Sequence, residues 1–282
     1  MNVRKLAPRW AQERGRAASV WWGQRTADRR PLPDFLVVGG QRCGTTSLFR
    51  ALMAHPHIRR PLVHKGVNYF DVDYHRGEAW YRGHFPVRDQ DDPTQVFDAS
   101  GYYMFHPAAA PRIVRDLPDV RIIAMVRDPV ERAYSAYKHE LARGFEWEKS
   151  FARALELEDE RLAGEVERMT AENSYQSFNH RHHAYRARGE YARLMAPFVA
   201  GLGRDRVLLV ESESFFSTPE LEYRRITDFL GLEPVTPDRF DRYNARPGKG
   251  LDPEVRAGLR DHYASHDDDL ALLLGRPPVW RA

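Results

Sequence analysis

The chain has little cysteine: Cys43 is the only one among its 282 residues. A single cysteine cannot form an internal disulfide, which excludes a small cross-linked secreted scaffold and favours a reducing compartment. Long hydrophobic runs are absent as well. No stretch of about 18 consecutive apolar residues is present, and no secretory signal is recognisable, so we expect a cytoplasmic protein without a membrane span.

An excess of charge of one sign is also missing. The formal net charge is only +3, although the sequence pI is about 9.0. So small a balance does not favour general nucleic-acid binding, and any anion site must come from locally clustered donors. Apolar material, by contrast, is plentiful. With 42% hydrophobic and 12% aromatic residues, the chain has enough to build the core of one large α/β domain.

Short apolar runs alternate with helical patterns along the chain. The strand-like runs are Phe35–Val38, Gln95–Asp98, Arg121–Val126 and Val207–Val210. The helical patterns are Thr45–Met53, Pro129–Arg143, Ser150–Met169, His180–Phe198, Pro219–Leu230 and Pro253–His262. This alternation predicts the α/β class, with a central parallel sheet flanked by helices in a P-loop-like three-layer sandwich.

The first 33 residues differ from the remainder in composition. They are basic and contain Trp10, Trp21 and Trp22. We expect residues 1–33 to form an arm or helix that packs its tryptophans on the domain, although a membrane-surface helix is an alternative. The main domain is predicted to span residues 34–282.

The stretch DFLVVGGQRCGTTSLFRAL, residues 34–52, has the layout of a phosphate-binding loop. An apolar strand enters a glycine turn, a helix leaves it, and Gly39 to Gly44 fits the G-x-x-x-x-G spacing. The lysine that should follow is missing, because Thr45 stands there. The loop is nonetheless rich in donors for an anion: backbone amides at a helix N-terminus, the hydroxyls of 45–47 and the guanidinium of Arg42. Without the lysine, magnesium-nucleotide hydrolysis is a poor fit.

A second segment, VRIIAMVRDPVERAYSAYKHEL at residues 120–141, has the same strand-to-helix layout. Asp128 is placed to cap a helix that starts at Pro129, and Glu131 is predicted to complete a capping box. Arg127 then lies at the carboxyl end of a strand, where open α/β sheets bind ligands. Together with Ser135, which lies two turns into the helix, Arg127 is suited to hold a second phosphate.

Together the two segments resemble the cofactor-binding signatures of sulfotransferases that use 3′-phosphoadenosine 5′-phosphosulfate (PAPS). The first resembles the 5′-phosphosulfate loop, and RDPVERAYSAY resembles the 3′-phosphate segment. The resemblance is greatest to the heparan sulfate N- and 3-O-sulfotransferases and their bacterial relatives. It continues through NYFDVDYHRGEAWYRGHFP, DASGYYMFHP, YRARGEYARLMAPF and LDPEVRAGLRDHYASHDDDLALLLG, which together cover most of the chain after residue 33.

The resemblance implies which residues bind the co-substrate. They are Arg42, Gly44, Thr45, Thr46, Ser47, Arg127 and Ser135, with Arg246 and Lys249 in a late basic loop that closes over PAPS. Arg42 stands where many relatives have lysine, so its implied catalytic role is electrostatic stabilisation of the leaving group. The resemblance implies no metal, and the spacing of the histidines at 180, 182 and 183 fits no convincing zinc site.

The general base is less clear from the sequence. Heparan sulfate relatives carry a glutamate where KGVNYFD has Gly66, and a lysine in a strand where this chain reads Asp98-Ala99-Ser100. His139 is the leading candidate, because it matches a histidine implicated in the N-sulfotransferase domains and shares a helix face with Ser135. His64, Lys65 and Asp98 are second choices for the base.

The predicted acceptor is a carbohydrate or a small molecule, bound by Lys65, Tyr69, Phe70 and Tyr102. Aromatic faces suit sugars and flat rings, although about half of the aromatic residues in this stretch are expected to be core. Two other functions stay open at this stage. One is a P-loop kinase for a small molecule, and the other is a nucleotide-binding relative that has lost its base.

Overall fold

We describe a computed structural model that covers residues 9–89, 91–172, 174–237, 239–241 and 250–281. The strands are β1 Phe35–Val37, β2 Ile58–Arg59, β3 Gln95–Asp98, β4 Arg121–Val126 and β5 Val207–Glu211. The α-helices are α1 Arg9–Arg25, α2 Thr45–Leu52, α3 Glu78–Arg82, α4 Ala109–Asp116, α5 Pro129–Ala142, α6 Phe151–Glu156, α7 Glu158–Leu162, α8 Glu165–Ala171, α9 Phe178–His182, α10 Tyr191–Leu202, α11 Ser212–Ser217, α12 Pro219–Leu230 and α13 Pro253–Leu274.

The five strands form one parallel sheet in the order β2-β3-β1-β4-β5. The predicted α/β class with a central parallel sheet is therefore confirmed. Strand β4 is buried almost throughout, as expected for a central parallel strand covered on both faces. Since β1 and β4 are neighbours, the two loops that follow them leave the same edge of the sheet side by side.

Three helical predictions need correction. The pattern Ser150–Met169 is split into α6, α7 and α8, with Gly164 in the left-handed region (φ 73°) just before the last of them. The pattern His180–Phe198 is interrupted between α9 and α10 by a 3-10 turn at Ala187–Gly189. The last helix runs on to residue 274, twelve residues beyond the predicted end. Short-range periodicity does not reveal where a helix is broken by packing.

The N-terminal helix contacts the domain through glycine. A Cβ on Gly23 would lie 2.1 Å from the carbonyl oxygen of Gly83, so the backbones of α1 and the end of α3 meet directly. The expectation that the tryptophans pack on the domain is wrong, because Trp10, Trp21 and Trp22 remain 55–61% exposed. Within the described ranges, no helix combines the length and apolar character needed to cross a bilayer.

Candidate active site

The first loop runs from the end of β1 to the start of α2 and is pressed against β4. The amide of Gly40 donates to the carbonyl of Met125 at 2.9 Å. A Cβ on Gly39 would lie 2.6 Å from the Met125 nitrogen, so this close approach requires glycine. Gly44, just before the helix, has a φ of 85°. The predicted glycine turn therefore forms, with the amides at the start of α2 left at its rim.

Arg42 also adopts the left-handed backbone region, with a φ of 72°. This conformation is uncommon for a residue that is not glycine, and such residues cluster at functional sites. Its side chain reaches α5, where Nε donates to Oγ of Ser135 at 3.0 Å. The Arg127 guanidinium donates to the carbonyl of Arg42 at 3.4 Å. The two cation-bearing loops predicted from sequence are thus in direct contact.

The second loop is fixed by its helix cap. Oδ1 of Asp128 accepts from the amides of Val130 and Glu131 at 2.9 and 3.4 Å, which confirms the predicted cap. The other half of the predicted capping box is wrong. Glu131 instead pairs with Arg256 at 2.7 Å, and the Asp128 amide donates to Glu213 at 3.1 Å. A carboxylate from a distant helix has taken the place of the local one.

Lys65 lies on the first loop, although it is distant from that loop in sequence. Its Nζ donates to the hydroxyl of Thr45 at 3.0 Å and to that of Thr46 at 3.5 Å. Burial lowers the pKa of Lys65 to about 8, while the nearby Asp98 carboxylate acts in the opposite direction. The chain therefore supplies a lysine to the start of α2 from a neighbouring segment, where a nucleoside-triphosphate loop would supply its own.

The hydroxyl of Tyr191 contacts both loops. It donates to the carbonyl of Arg127 at 2.8 Å and lies 3.7 Å from Sγ of Cys43. Cys43 is fully buried, and this burial raises the pKa of its thiol to about 11. The thiol is therefore protonated at neutral pH and serves as packing, in keeping with a small residue that fills a tight turn.

A buried carboxylate lies behind the first loop, and sequence reasoning missed it. Glu140 accepts from Nε2 of Gln41 at 2.6 Å and lies 2.9 Å from Nδ1 of His182. Burial alone would raise the pKa of Glu140, but the hydrogen bonds from His182 and Gln41 hold it below its ordinary value. Arg188 adds a further bond at 3.2 Å, to Oε1 of Gln41. This network orients the imidazole of His182 and ties the loop to α5 and α9.

A sequence model of the family described as the sulfotransferase domain matches residues 32–246. The chain belongs to the sulfotransferase domain family. This assignment confirms the predicted family, the sulfotransferases.

Individual relatives agree with this assignment. The human bifunctional heparan sulfate N-deacetylase/N-sulfotransferase 3 is 39% identical over 131 residues, which are 44% of this chain and 15% of that protein. The mouse heparan sulfate glucosamine 3-O-sulfotransferase 3A1 is 31% identical over 219 residues, 78% of this chain and 51% of that protein. The chain thus spans about half, or less, of the length of these curated relatives.

A solved structure also resembles the whole fold. The sulfotransferase from Alicyclobacillus acidocaldarius is 29% identical, with a TM-score of 0.65, and the match covers 89% of this chain and 100% of that one. The P-loop-like sulfotransferase architecture is therefore confirmed.

Gly66 stands where the resemblance implies a glutamate, and the packing around it leaves little space. A Cβ at this position would lie 2.7 Å from Oγ of Ser100 and 2.8 Å from the carbonyl of Ala99. The turn therefore has no room for a glutamate without a shift of the backbone. Asn68 is in the left-handed region with a φ of 59°. Neither residue supplies a titratable side chain.

Asp98 was a second choice for the general base, and its contacts in the sulfotransferase domain are structural. The side chain is fully buried and accepts from the amide of Val67 and from the hydroxyls of Tyr81, Ser100 and Tyr103, at 2.8 to 3.1 Å. Burial raises the pKa of the carboxyl despite these four donors. Asp98 clamps the Lys65–Asn68 turn to the end of β3, so a proton-transfer role does not fit its contacts.

Asp71 is a buried carboxylate that the sequence prediction overlooked. Oδ1 accepts from the amide of Val72 at 2.6 Å, whereas buried Oδ2 has no hydrogen-bond partner within the described part of the chain. Burial raises the pKa of this carboxyl to about 7. A half-satisfied buried acid costs stability, and such groups are more frequent at functional sites than elsewhere. The NYFDVD motif contained the residue, but only burial distinguishes it from an ordinary surface aspartate.

The aromatic residues predicted for the acceptor lie deeper than expected. Tyr69 and Phe70 are 4% and 1% exposed, and Tyr69 stacks on Tyr81 with ring centroids 4.4 Å apart. In this conformation both belong to the core. Tyr102 is 9% exposed, and its hydroxyl lies 2.6 Å from Nδ1 of His180. An acceptor contact by these three residues stays a prediction.

Two further residues were predicted for the late basic loop, and three clustered histidines were considered as a zinc site. Arg246 and Lys249 lie outside the described residues. Two of the three clustered histidines, His180 and His183, have structural contacts: His180 bonds Tyr102, and His183 lies 2.9 Å from the carbonyl of Phe145. Burial lowers the pKa of His180 to about 3, so its imidazole is neutral at physiological pH.

Proposed function

We propose that this chain transfers the sulfuryl group of PAPS to a hydroxyl or amino group of a glycan and releases adenosine 3′,5′-bisphosphate (PAP). The observation that carries the proposal is the contact between the two anion loops. Arg42 bonds Ser135, and Arg127 bonds the Arg42 carbonyl, so cations meant for opposite ends of one doubly phosphorylated nucleotide are adjacent. A nucleoside triphosphate has no 3′-phosphate that would use Arg127 and Ser135.

In the proposed complex the 5′-phosphosulfate lies at the start of α2. We assign it to Gly44, Thr45, Thr46 and Ser47 at the N-terminus of this helix, where the helix dipole favours an anion. Lys65 adds a positive charge at the same hydroxyls. The 3′-phosphate is assigned to Arg127 and Ser135. Arg246 and Lys249 complete the proposed PAPS site, and we assign no metal to the transfer step.

A cavity of about 320 Å³ beside α2 is the proposed site for the adenine. It is lined by Ser47, Arg50, Ala51, Ala54, Pro237, Arg239, Phe240 and Asp241. The cavity starts at the end of the phosphosulfate loop, and Phe240 offers an aromatic face for a flat base. Its size falls within the range for small-ligand sites.

The transfer itself is an in-line displacement at sulfur. The acceptor oxygen or nitrogen forms the new S–O or S–N bond as the bond from sulfur to the bridging oxygen breaks. Negative charge then grows on the leaving phosphate. Arg42, the α2 amides and Lys65 are the groups that would stabilise this charge, and their electrostatic effect is strongest with water excluded. A proton leaves the acceptor as the bond forms.

We assign removal of that proton to His139. It lies one turn beyond Ser135 on α5, on the helix face that meets Arg42. His182 is the structural rival, because Glu140 orients its imidazole as a carboxylate orients a general base. With Gly66 in place of the relatives' glutamate, an imidazole is the best-suited group for this step.

The names of the relatives suggest the acceptor class. The two curated relatives described above act, by name, on heparan sulfate and on its glucosamine. We therefore propose a glucosamine-containing saccharide as the acceptor, either at its amine or at a hydroxyl. We further propose a bacterial, cytoplasmic enzyme that does not bind nucleic acid, with residues 34–282 as the catalytic domain. Fractionation of the native cells tests the location.

One assay separates this proposal from its rivals. Purified protein is incubated with labelled PAPS and a panel of N-acetylated and N-deacetylated glucosamine oligosaccharides, with simple phenols as a second panel. We expect PAP release that depends on a glucosamine acceptor and requires no added magnesium. PAP binding without release across both panels would identify a non-catalytic relative. Consumption of ATP with magnesium, and none of PAPS, would identify a kinase.

A further inference from the structure

Two histidines on the C-terminal helix face a glutamate at the start of α10. His262 and His266 are one turn apart on α13, and their Nε2 atoms lie 3.5 and 4.0 Å from Oε1 of Glu190. One potential ligand atom from each of the three residues lies within 4.8 Å of the other two. Their side chains are 16–31% exposed, so the cluster is partly covered and still open to an ion from solvent.

The cluster is not a satisfied hydrogen-bond network. Nε2 of His262 is buried and makes no hydrogen bond to any described residue. Buried polar atoms normally have partners, so an orphaned imidazole nitrogen that faces a carboxylate indicates a missing ligand.

The surrounding backbone holds the three residues in place. The hydroxyl of Tyr263 donates to the carbonyl of Arg186 at 2.9 Å. A Cβ on Gly189 would lie 2.7 Å from the Tyr263 ring, so the turn that carries Glu190 rests directly on α13. Oε2 of Glu190 accepts from Arg193 at 2.6 Å, which leaves Oε1 to face the histidines. A hydrogen-bonded carboxylate of this kind is typical around metal ligands.

We propose that Glu190, His262 and His266 bind one Zn²⁺ ion, with water in the remaining position. Two imidazoles and one carboxylate are a common ligand set for borderline transition-metal ions. Ligand atoms of a tetrahedral zinc site are roughly 3.3 Å apart, given Zn–N and Zn–O distances of about 2.0–2.1 Å. Small side-chain rotations would shorten the observed separations of 3.5 Å and more to about this distance.

The proposed role is structural. The ion would join α13 to the start of α10, and the next residue, Tyr191, supports Arg127 through its hydroxyl. Both histidines lie on α13, beyond the residues 32–246 that match the family model, whereas Glu190 lies within that match. Arg193, bonded to Glu190, brings a positive charge to the cluster, which weakens the affinity for a cation.

The test is metal binding to the full chain, with no sulfotransferase assay involved. Protein stripped with a chelator is titrated with Zn²⁺ by calorimetry, and with Co²⁺ by visible absorption. We expect one ion per chain and a higher melting temperature with zinc. His262→Ala and His266→Ala should each lower the affinity at least tenfold, within the range of about 10–100-fold typical of site mutations. The exposed His75, mutated to alanine, is the matched control and should leave binding unchanged.

Binding that is absent in the parent protein, or equally tight in the two histidine variants, overturns the proposal. Circular dichroism establishes that each variant is folded. His266→Gln keeps a polar side chain of similar length, so it tests the ligand even if alanine disturbs α13. A zinc-induced rise in melting temperature that survives in His266→Gln also counts against the site. Because no readout uses PAPS, failure here leaves the proposed sulfotransferase function untouched.

Discussion

At the residue scale, the proposed roles of Arg127 in binding PAPS and of Arg42 in catalysis can be tested separately. We expect Arg127→Ala to weaken PAP binding at least tenfold, because a hydrogen bond to a charged group contributes about 1.5–3 kcal/mol. Arg42→Ala should mainly lower turnover, by roughly 100-fold, the usual effect of removing one transition-state donor. Calorimetry with PAP and steady-state rates measure the two effects. Exposed Arg260→Ala is the control, and unchanged PAP affinity in Arg127→Ala would contradict the assigned 3′-phosphate site.

The lowered pKa of Lys65 predicts that the free energy of unfolding and PAP binding both depend on pH. Its folded pKa of about 8 lies below the ordinary 10.5, so its contribution to the free energy of unfolding grows as pH rises from 8 to 10.5. An anion at Thr45 and Thr46 should raise the pKa again. PAP binding at pH 8.5 is then expected to take up as much as about 0.76 proton, the neutral share of a group with a pKa near 8.

Calorimetry in two buffers of different ionisation enthalpy measures this proton uptake directly. Lys65→Gln keeps a polar side chain that can bond the threonine hydroxyls but cannot take up a proton, so it is the control. Uptake of the same size in that variant would assign the signal to another group.

Mutation can decide whether His139 or His182 is the general base. His139→Ala should lower the turnover number about 100-fold or more, within the range of general base catalysis, with PAP affinity retained. His182→Ala removes a hydrogen bond to Glu140 and loosens the network behind the loop, so we expect it to affect binding as well as rate. The pH–rate profiles of both variants measure this difference. Near-normal turnover in His139→Ala, with a lost alkaline plateau in His182→Ala, would transfer the base assignment to His182.

At the element scale, the cap of α5 determines where Ser135 and His139 are presented. Asp128→Ala removes two hydrogen bonds to the first turn, and the expected loss is about 1 kcal/mol of unfolding free energy. Asp128→Asn retains a cap and should change the unfolding free energy by only a few tenths. Urea denaturation measures both. An alanine variant as stable as the asparagine variant would show that Glu213 alone is sufficient to hold this loop.

The strands and helices also show which parts of the fold can be predicted from the sequence. The strands at 95–98 and 121–126 were predicted with correct ends because apolar runs bounded by polar residues mark buried strands. The polar stretch after Ser150 was predicted as one helix and is three. Gly164, in the left-handed region, marks the break before α8, whereas the break at Leu157 has no helix-breaking residue and follows from the path of the chain over the core. Local patterns carry no information about that path.

At the scale of the whole molecule, a nucleotide that joins both loops should stabilise the fold. At 100 times its dissociation constant, PAP is expected to add about 2.7 kcal/mol to the unfolding free energy. Adenosine 5′-monophosphate, which lacks the 3′-phosphate, should add much less at the same concentration. Thermal unfolding with each nucleotide measures the difference. Equal stabilisation by the two would mean that Arg127 and Ser135 bind no phosphate.

The sequence alone determined the α/β class, both anion loops and the enzyme family, because these depend on short patterns of adjacent residues. Only the tertiary structure decided that Lys65 reaches Thr45, that Ser100 leaves no room for a side chain at Gly66, and that Glu140 joins Gln41 to His182. Lys65 and Thr45 are 20 positions apart in the sequence, Gly66 and Ser100 are 34 apart, and Gln41 and Glu140 are 99 apart. Such contacts depend on strand order and register, which bring distant segments to one edge of the sheet and which no local pattern encodes.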